Sequence, residues 1–177
     1  MIAKHFWLAA LLTLPGCTTV PAQDVEFVRG CWVTRAPQDG PVEAMLRLLP
    51  EGADGPTYKG VVHAFSGPPV DPQGVEAAEL IFSRDGRWLD VSDHDRDAEG
   101  SIRAEPVRSP VRLFAAAPPE AATTHLTQDV HWAAFAQQGE PGWILAVGAE
   151  EALSIYRVDD TGEPGETLFS GARDGCD

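Results

Sequence analysis

This sequence predicts an all-β fold, a single small antiparallel barrel of about eight to ten strands. The alternative is a β-sandwich. From residue 25 onward, short apolar runs alternate with turn residues about every 8 to 12 positions, a spacing typical of both architectures. The 17 Gly and 15 Pro favour many short elements joined by turns. Cys31 and Cys176 lie near opposite ends of this region, and chain ends that meet suit a sheet that closes on itself.

The predicted strands follow one another in chain order, separated by turn signals. Asp85-Gly86 lies between two apolar runs and predicts a hairpin. Residues 120–138 are ambiguous, because their alanines permit a helix while the alternation around Trp132 permits a strand. The predicted runs, of which we expect about eight to ten to be true strands, are residues 25–35, 42–49, 57–65, 76–83, 87–92, 101–107, 111–116, 124–130, 131–137, 142–147, 152–158 and 166–171.

The start of the chain has the features of an export leader. Lys4 precedes the apolar residues 6–14, a run too short to span a bilayer, which takes about 20 apolar residues. Leu14-Pro15-Gly16-Cys17 resembles the bacterial lipobox, although Pro15 replaces the small residue usual there. The resemblance implies that Cys17 receives a diacylglyceryl group, with acyl chains such as palmitate, and becomes the lipid-anchored N-terminus.

This interpretation divides the chain into a signal peptide at 1–16, a lipidated tether at 17–24 and a barrel domain at 25–177. Because Thr18 and not Asp follows Cys17, the resemblance implies a cell-envelope protein sorted to the outer membrane and facing the periplasm. Ordinary secretion is the alternative. The small residues around Ala22 then direct cleavage before Gln23, which discards Cys17 and leaves a soluble periplasmic or secreted protein.

The two other cysteines, Cys31 and Cys176, predict one disulfide. In an oxidising compartment a pair of thiols allows a single connectivity, here from the start of the domain to its penultimate residue.

Gly30-Cys31-Trp32 is similar to the G-x-W motif on the first strand of lipocalins and their calycin relatives. The resemblance implies a barrel in which Trp32 closes one end beneath an arginine from the last strands. Arg157 and Arg173 are the candidates, and we prefer Arg173 because Cys176 would bring it near Cys31. If Trp32 faces inward, strand alternation turns Cys31 outward.

The charge balance excludes one class of partner. The chain has 13 basic and 27 acidic residues, a net charge of −14. Such a chain repels phosphate backbones and anionic headgroups, so we expect no nucleic-acid binding and no basic membrane-binding patch. The partners expected from the sequence are the membrane, contacted through the lipid anchor, and a small apolar ligand or another envelope protein.

No motif predicts a metal, a cofactor or catalysis. The acidic stretch 90–100 places oxygen ligands at alternate positions, but glycine falls at Gly100 and an acid is missing at Ala104, so we interpret it as an exposed hairpin tip. Its alternating aspartates are Asp93, Asp95 and Asp97. The histidines make no zinc motif, and no nucleophile motif is present. These histidines are His63, His94, His125 and His131.

Aromatic residues on the strands suggest an apolar ligand pocket, for which Trp88, Trp132 and Trp143 are the expected walls. The function expected from the sequence is that of a non-enzymatic envelope lipoprotein whose disulfide-stapled barrel binds a small apolar ligand. The alternative is an interaction module that docks to another envelope protein or a wall polymer. A third hypothesis is a hydrolase of envelope substrates.

Overall fold

The chain forms a closed antiparallel β-barrel in the computed structural model, which describes residues 22–38, 40–52, 55–65, 75–93, 110–123, 131–138, 140–159 and 161–175. The predicted all-β barrel is confirmed, and the sheet closes on itself where a sandwich would split in two. Its strands in the described residues are β1 Gly30–Arg35, β2 Val42–Pro50, β3 Thr57–Ala64, β4 Val75–Ser83, β5 Trp88–Asp93, β6 Val111–Ala115, β7 His131–Gln137, β8 Glu140–Val147, β9 Ala152–Val158 and β10 Pro164–Asp174.

The topology is a simple meander. Each strand pairs with its neighbours in sequence, and the pairing of β1 with β10 closes the ring. The β4–β5 hairpin turns at Asp85-Gly86, where Gly86 has φ +65° and its N–H donates to the Ser83 carbonyl at 2.8 Å. A Cβ atom on Gly86 would lie 2.0 Å from the Gln23 carbonyl oxygen, so this turn packs tightly against the N-terminal segment.

The interior is filled by alternate residues of the strands, as a two-residue side-chain period requires. Leu89 and Leu113, for example, are directly opposite each other on β5 and β6, and both are buried. The largest fully buried side chains include Trp32, Leu46, Leu48, Tyr58, Leu80, Phe82, Leu89, Leu113, Phe135, Leu145 and Leu153.

The N-terminal segment is not a strand over the full predicted range. A 3₁₀ helix occupies Glu26–Val28, and β1 begins only at Gly30. Asp24 Oδ1 accepts a hydrogen bond from the Glu26 N–H at 3.0 Å, which helps the chain to turn here. The turn carries Val25 and Val28 into the core, where both are fully buried.

A second apolar cluster lies on the outer face of β7, β8 and β9. A four-residue helix, α1 (Glu120–Thr123), covers this face and buries Ala122 completely. The helix and β7 resolve part of the ambiguity over residues 120–138, while the predicted strands at 101–107 and 124–130 lie outside the described residues. The members of this cluster are Ala122, Ala134, Ile144, Ala146, Tyr156 and Val158.

The barrel has two unlike ends. The 3₁₀ helix, the β4–β5 turn and the β8–β9 turn lie at one end, because β1 starts there and successive strands alternate in direction. We call this end the 3₁₀ end, and the opposite one the far end. Val25, Val28 and Trp32 fill the barrel at the 3₁₀ end.

Candidate ligand groove

Gln23 ties the N-terminal segment to the barrel wall between β6 and β7. The Ala116 N–H donates to the Ala134 carbonyl at 2.9 Å, but the reciprocal bond is replaced by the Gln23 amide. Gln23 Oε1 accepts from the Ala134 N–H at 2.8 Å, and its Nε2 donates to the carbonyls of Ala116 and Ala134 at 3.0 Å each. The sequence placed Gln23 in the tether, and no pattern in it signals this inserted amide.

Arg173 lies over Trp32 at the 3₁₀ end. Its guanidinium carbon is 4.2 Å from the centroid of the Trp32 ring, and its terminal nitrogens donate to the carbonyls of Arg29 at 2.8 Å and Phe27 at 3.1 Å. The Trp32 indole N–H donates to the Val28 carbonyl at 2.8 Å. The structure therefore brings together the two residues expected to close the barrel.

Steric constraints explain why the first position of the G-x-W motif is a glycine. Gly30 has φ +137°, and a Cβ atom there would lie 2.7 Å from a terminal nitrogen of Arg173. The other candidate arginine, Arg157, lies 5.1 Å from the centroid of Trp143.

A buried tyrosine and an exposed carboxylate meet at the same end. The Tyr58 hydroxyl donates to Glu26, which also accepts from Arg29 at 3.0 Å. The hydrogen bond from Tyr58, helped by the one from Arg29, holds the pKa of Glu26 below its ordinary value. Burial, followed by the hydrogen bond to Glu26, raises the pKa of Tyr58. The contact fastens the 3₁₀ helix to β3.

An apolar groove of about 380 Å³ opens beside this fastened segment. We call it the Trp132 groove. It lies between the N-terminal segment, the chain that follows β6, and the start of β7. Its walls are the side chains of Phe27, Ala116, Ala117, Pro118 and Trp132. Its polar edge consists of Gln23, Asp24 and His131.

The aromatic rings of the groove come from two parts of the chain. Phe27 stacks on His131, with ring centroids 5.9 Å apart and planes 25° apart. Trp132 faces the outside of the barrel, because its neighbour Ala133 is buried in the interior. The volume falls within the range of small-molecule sites, and its mostly apolar lining with few polar groups suits an apolar or amphiphilic ligand.

The three tryptophans expected to line one pocket lie on different surfaces of the described barrel. Trp143 is 6% exposed and belongs to the barrel core. Trp88 lies on the outer face of β5, where the Arg112 guanidinium stacks 4.2 Å from its centroid, and only Trp132 lines the groove. The three side chains are separated because the face on which a side chain lies depends on the pairing register, which composition does not reveal.

The outer face of β5 to β7 carries a row of apolar side chains that do not line the groove. Phe114 is directly opposite Trp88 on one side and Ala136 on the other. Phe114 is 54% exposed, since alternation turns it outward from the buried Leu113.

The cysteine predictions fall partly outside the described residues. Cys17 and Cys176 both lie outside them. Cys31 is 5% exposed, and the register pairs it with Asp174, two positions before Cys176. The pairing of Cys31 with Cys176 stays a prediction.

Among the described residues, no group of three or more His, Cys, Asp or Glu side chains is arranged to hold a metal ion. Asp95, Asp97, His94 and His125 lie outside that part of the chain. In the same part, no helix has the length and hydropathy needed to cross a bilayer. No family model matches the chain, and neither a curated protein nor a solved structure matches it.

Proposed function

We propose that this protein is an envelope lipoprotein, anchored through Cys17, that binds a small apolar or amphiphilic ligand in the Trp132 groove without catalysing a reaction. The observation that carries the proposal is the groove itself, with apolar walls and a volume of about 380 Å³. A disulfide between Cys31 and Cys176 fastens the end of β10 to β1 in this proposal. The placement of Asp174 opposite Cys31 supports it.

The ligand site is tested with the fluorescent apolar probe N-phenylnaphthylamine. We expect saturable binding, with energy transfer from Trp132 to the probe. Trp132→Ala should weaken the affinity about tenfold, because it removes the largest apolar wall. The matched control is Trp88→Ala, which removes an outer-face tryptophan that does not line the groove. Equal affinity in the two variants would contradict the proposed site.

The anchor is tested by the intact mass of the mature protein from its native envelope. A diacyl or triacyl increment on a chain that begins at Cys17 supports the lipoprotein, whereas a chain that begins at Gln23 contradicts it. The same mass reveals a disulfide as a deficit of two hydrogens.

The alternative function is an interaction module, and Phe114 is the observation that favours it. Its 54% exposure beside Trp88 leaves an apolar face suited to protein contact. The test places a photoreactive residue at position 114 and cross-links the protein in its native envelope. A cross-link to one protein that is lost in a Trp88→Glu background would support this role.

A further inference from the structure

One of the two most exposed large apolar side chains of the described residues lies at the 3₁₀ end of the barrel. Trp132 is 37% exposed at the start of β7, which begins at that end. The other, Phe114, is paired with Ala136, four residues along β7 from Trp132, and does not line the groove. Phe27, on the 3₁₀ helix itself, and Pro118 complete an apolar surface around the mouth of the Trp132 groove.

The same end is where the N-terminal segment leaves the barrel. The hydrogen bonds of Gln23 to Ala116 and Ala134 fix the segment to the wall at this point. Cys17 precedes Gln23 by six positions in the sequence, and a fully extended chain of that length reaches about 20 Å. A lipid on Cys17 would therefore hold the 3₁₀ end within about 20 Å of the bilayer surface.

We propose that Phe27, Pro118 and Trp132 form a bilayer-contact surface, which lies against the headgroup layer of the membrane that holds the Cys17 lipid. The proposal rests on the Cys17 anchor of the proposed function. Tryptophan suits this position, since its ring is apolar and its N–H donates hydrogen bonds to headgroups. With this surface on the membrane, the groove opens toward the lipid, and an amphiphilic ligand enters it from the bilayer.

The charge of the protein determines the lipid that fits. The net charge is −14, whereas acidic side chains at the end of the contact surface have basic partners: Asp85 is paired with Arg87 and Glu26 with Arg29, each at 3.0 Å. The repulsion of anionic headgroups therefore comes from the charge of the protein as a whole. The surface therefore matches zwitterionic lipid, with apolar and aromatic side chains supplying the attraction.

The test uses the mature full chain from its native envelope, with lipidation of Cys17 verified by mass, in phosphatidylcholine vesicles. One sample of vesicles carries bromine on the acyl-chain carbons nearest the headgroup, which quenches tryptophan fluorescence on contact. A second sample without bromine is the reference. We expect quenching of the wild type that falls about twofold or more in Trp132→Phe, because that substitution removes the interfacial indole. Trp143→Phe, which changes a core indole, should leave the quenching intact. Anionic lipid mixed into the vesicles should reduce it.

Two results on a chain whose Cys17 carries lipid would overturn the contact surface: no quenching, or equal quenching in the two variants. Neither result would contradict the lipid anchor. A chain without lipid at Cys17 would refute the anchor instead. The surface is then tested by flotation of the unlipidated chain with the same vesicles, where flotation lost in Trp132→Glu supports it and no flotation overturns it. A dimer in detergent that dissociates in Trp132→Glu would assign the surface to a second copy and also overturn the proposal.

Discussion

Gln23 illustrates how much one side chain contributes at a weak point of the barrel. In the described residues, the ladder between β6 and β7 has only two residue pairs, Phe114 with Ala136 and Ala115 with Phe135. Beyond them, the Gln23 amide satisfies the Ala134 N–H and the Ala116 carbonyl, which would otherwise lack partners. The same amide positions the N-terminal segment as a wall of the groove. Gln23 therefore contributes both to the stability of the barrel and to the shape of the candidate site.

We expect Gln23→Ala to lower the free energy of unfolding by about 1 to 3 kcal/mol, because it leaves backbone groups without hydrogen bonds. Urea unfolding measures the change. Gln137→Ala, at an exposed position of β7, should change stability by less than about 0.5 kcal/mol. Equal effects in the two variants would show that the inserted amide has no special role. Probe binding in the Trp132 groove should weaken only in the Gln23 variant.

The hydrogen bond between Tyr58 and Glu26 makes the 3₁₀ helix sensitive to pH. The pKa of Glu26 is lowered in the folded state, so its contribution to stability is present above the ordinary value of 4.5 and is lost as the pH falls through the folded value. The pKa of Tyr58 is raised, so its contribution is present below 10.0 and is lost as the pH rises through the folded value.

Tyr58→Phe should return the Glu26 pKa toward 4.5, because the largest cause of its lowering is removed. An NMR titration of the Glu26 carboxyl group measures the pKa, and unfolding in urea at several acidic pH values measures the stability. We expect the stability difference between wild type and variant to shrink as the pH falls below 4.5. A Glu26 titration that is the same in both proteins would contradict the assignment.

At the scale of elements, α1 shows how packing creates a helix that its own residues would not support. Four residues make a helix far too short to be stable in isolation. It forms because Ala122 is buried in the apolar cluster on the outer face of the sheet, whose members include Ile144 and Tyr156. The helix therefore covers an apolar face that would otherwise be exposed beside the groove.

Ala122→Asp should detach α1 and lower the free energy of unfolding by about 2 to 4 kcal/mol, since it places a charge in an apolar contact. Chemical denaturation measures the loss, and hydrogen exchange of α1 shows whether the helix has opened. Pro119→Ala, at an exposed position next to the helix, is the matched control. Unchanged exchange in Ala122→Asp would contradict the packing role.

At the scale of the whole molecule, the barrel depends on a short seam. β1 and β10 pair through Cys31–Asp174, Trp32–Arg173 and Val33–Ala172. An ion pair between Arg35 and Asp174 at 3.2 Å and the Arg173–Trp32 contact reinforce this seam. A covalent link between Cys31 and Cys176 would close almost the whole chain at the same place.

Reduction of the proposed disulfide should lower the free energy of unfolding by about 4 to 5 kcal/mol, because it releases a very long loop in the unfolded chain. Thermal unfolding with and without dithiothreitol measures the effect. The Cys31→Ser, Cys176→Ser double variant should behave like the reduced wild type and be insensitive to dithiothreitol. Equal stability of oxidised and reduced wild type would contradict the link.

Patterns local to the chain were sufficient to predict much of this protein. Alternation and turn residues predicted a barrel, and Asp85-Gly86 predicted the β4–β5 hairpin, because strand periodicity and turn geometry depend on adjacent residues. The G-x-W motif directed attention to Trp32 and Arg173, which the structure brings together.

The tertiary structure alone decided which surfaces those elements present. It inserted Gln23 into a distant ladder, formed α1 against the sheet, and distributed Trp88, Trp132 and Trp143 among an outer face, a groove and the core. The physical reason is that register and closure join segments far apart in the chain, and a shift of one residue reverses the face of every side chain. The barrel was therefore predictable from local sequence, whereas the groove required the closed sheet.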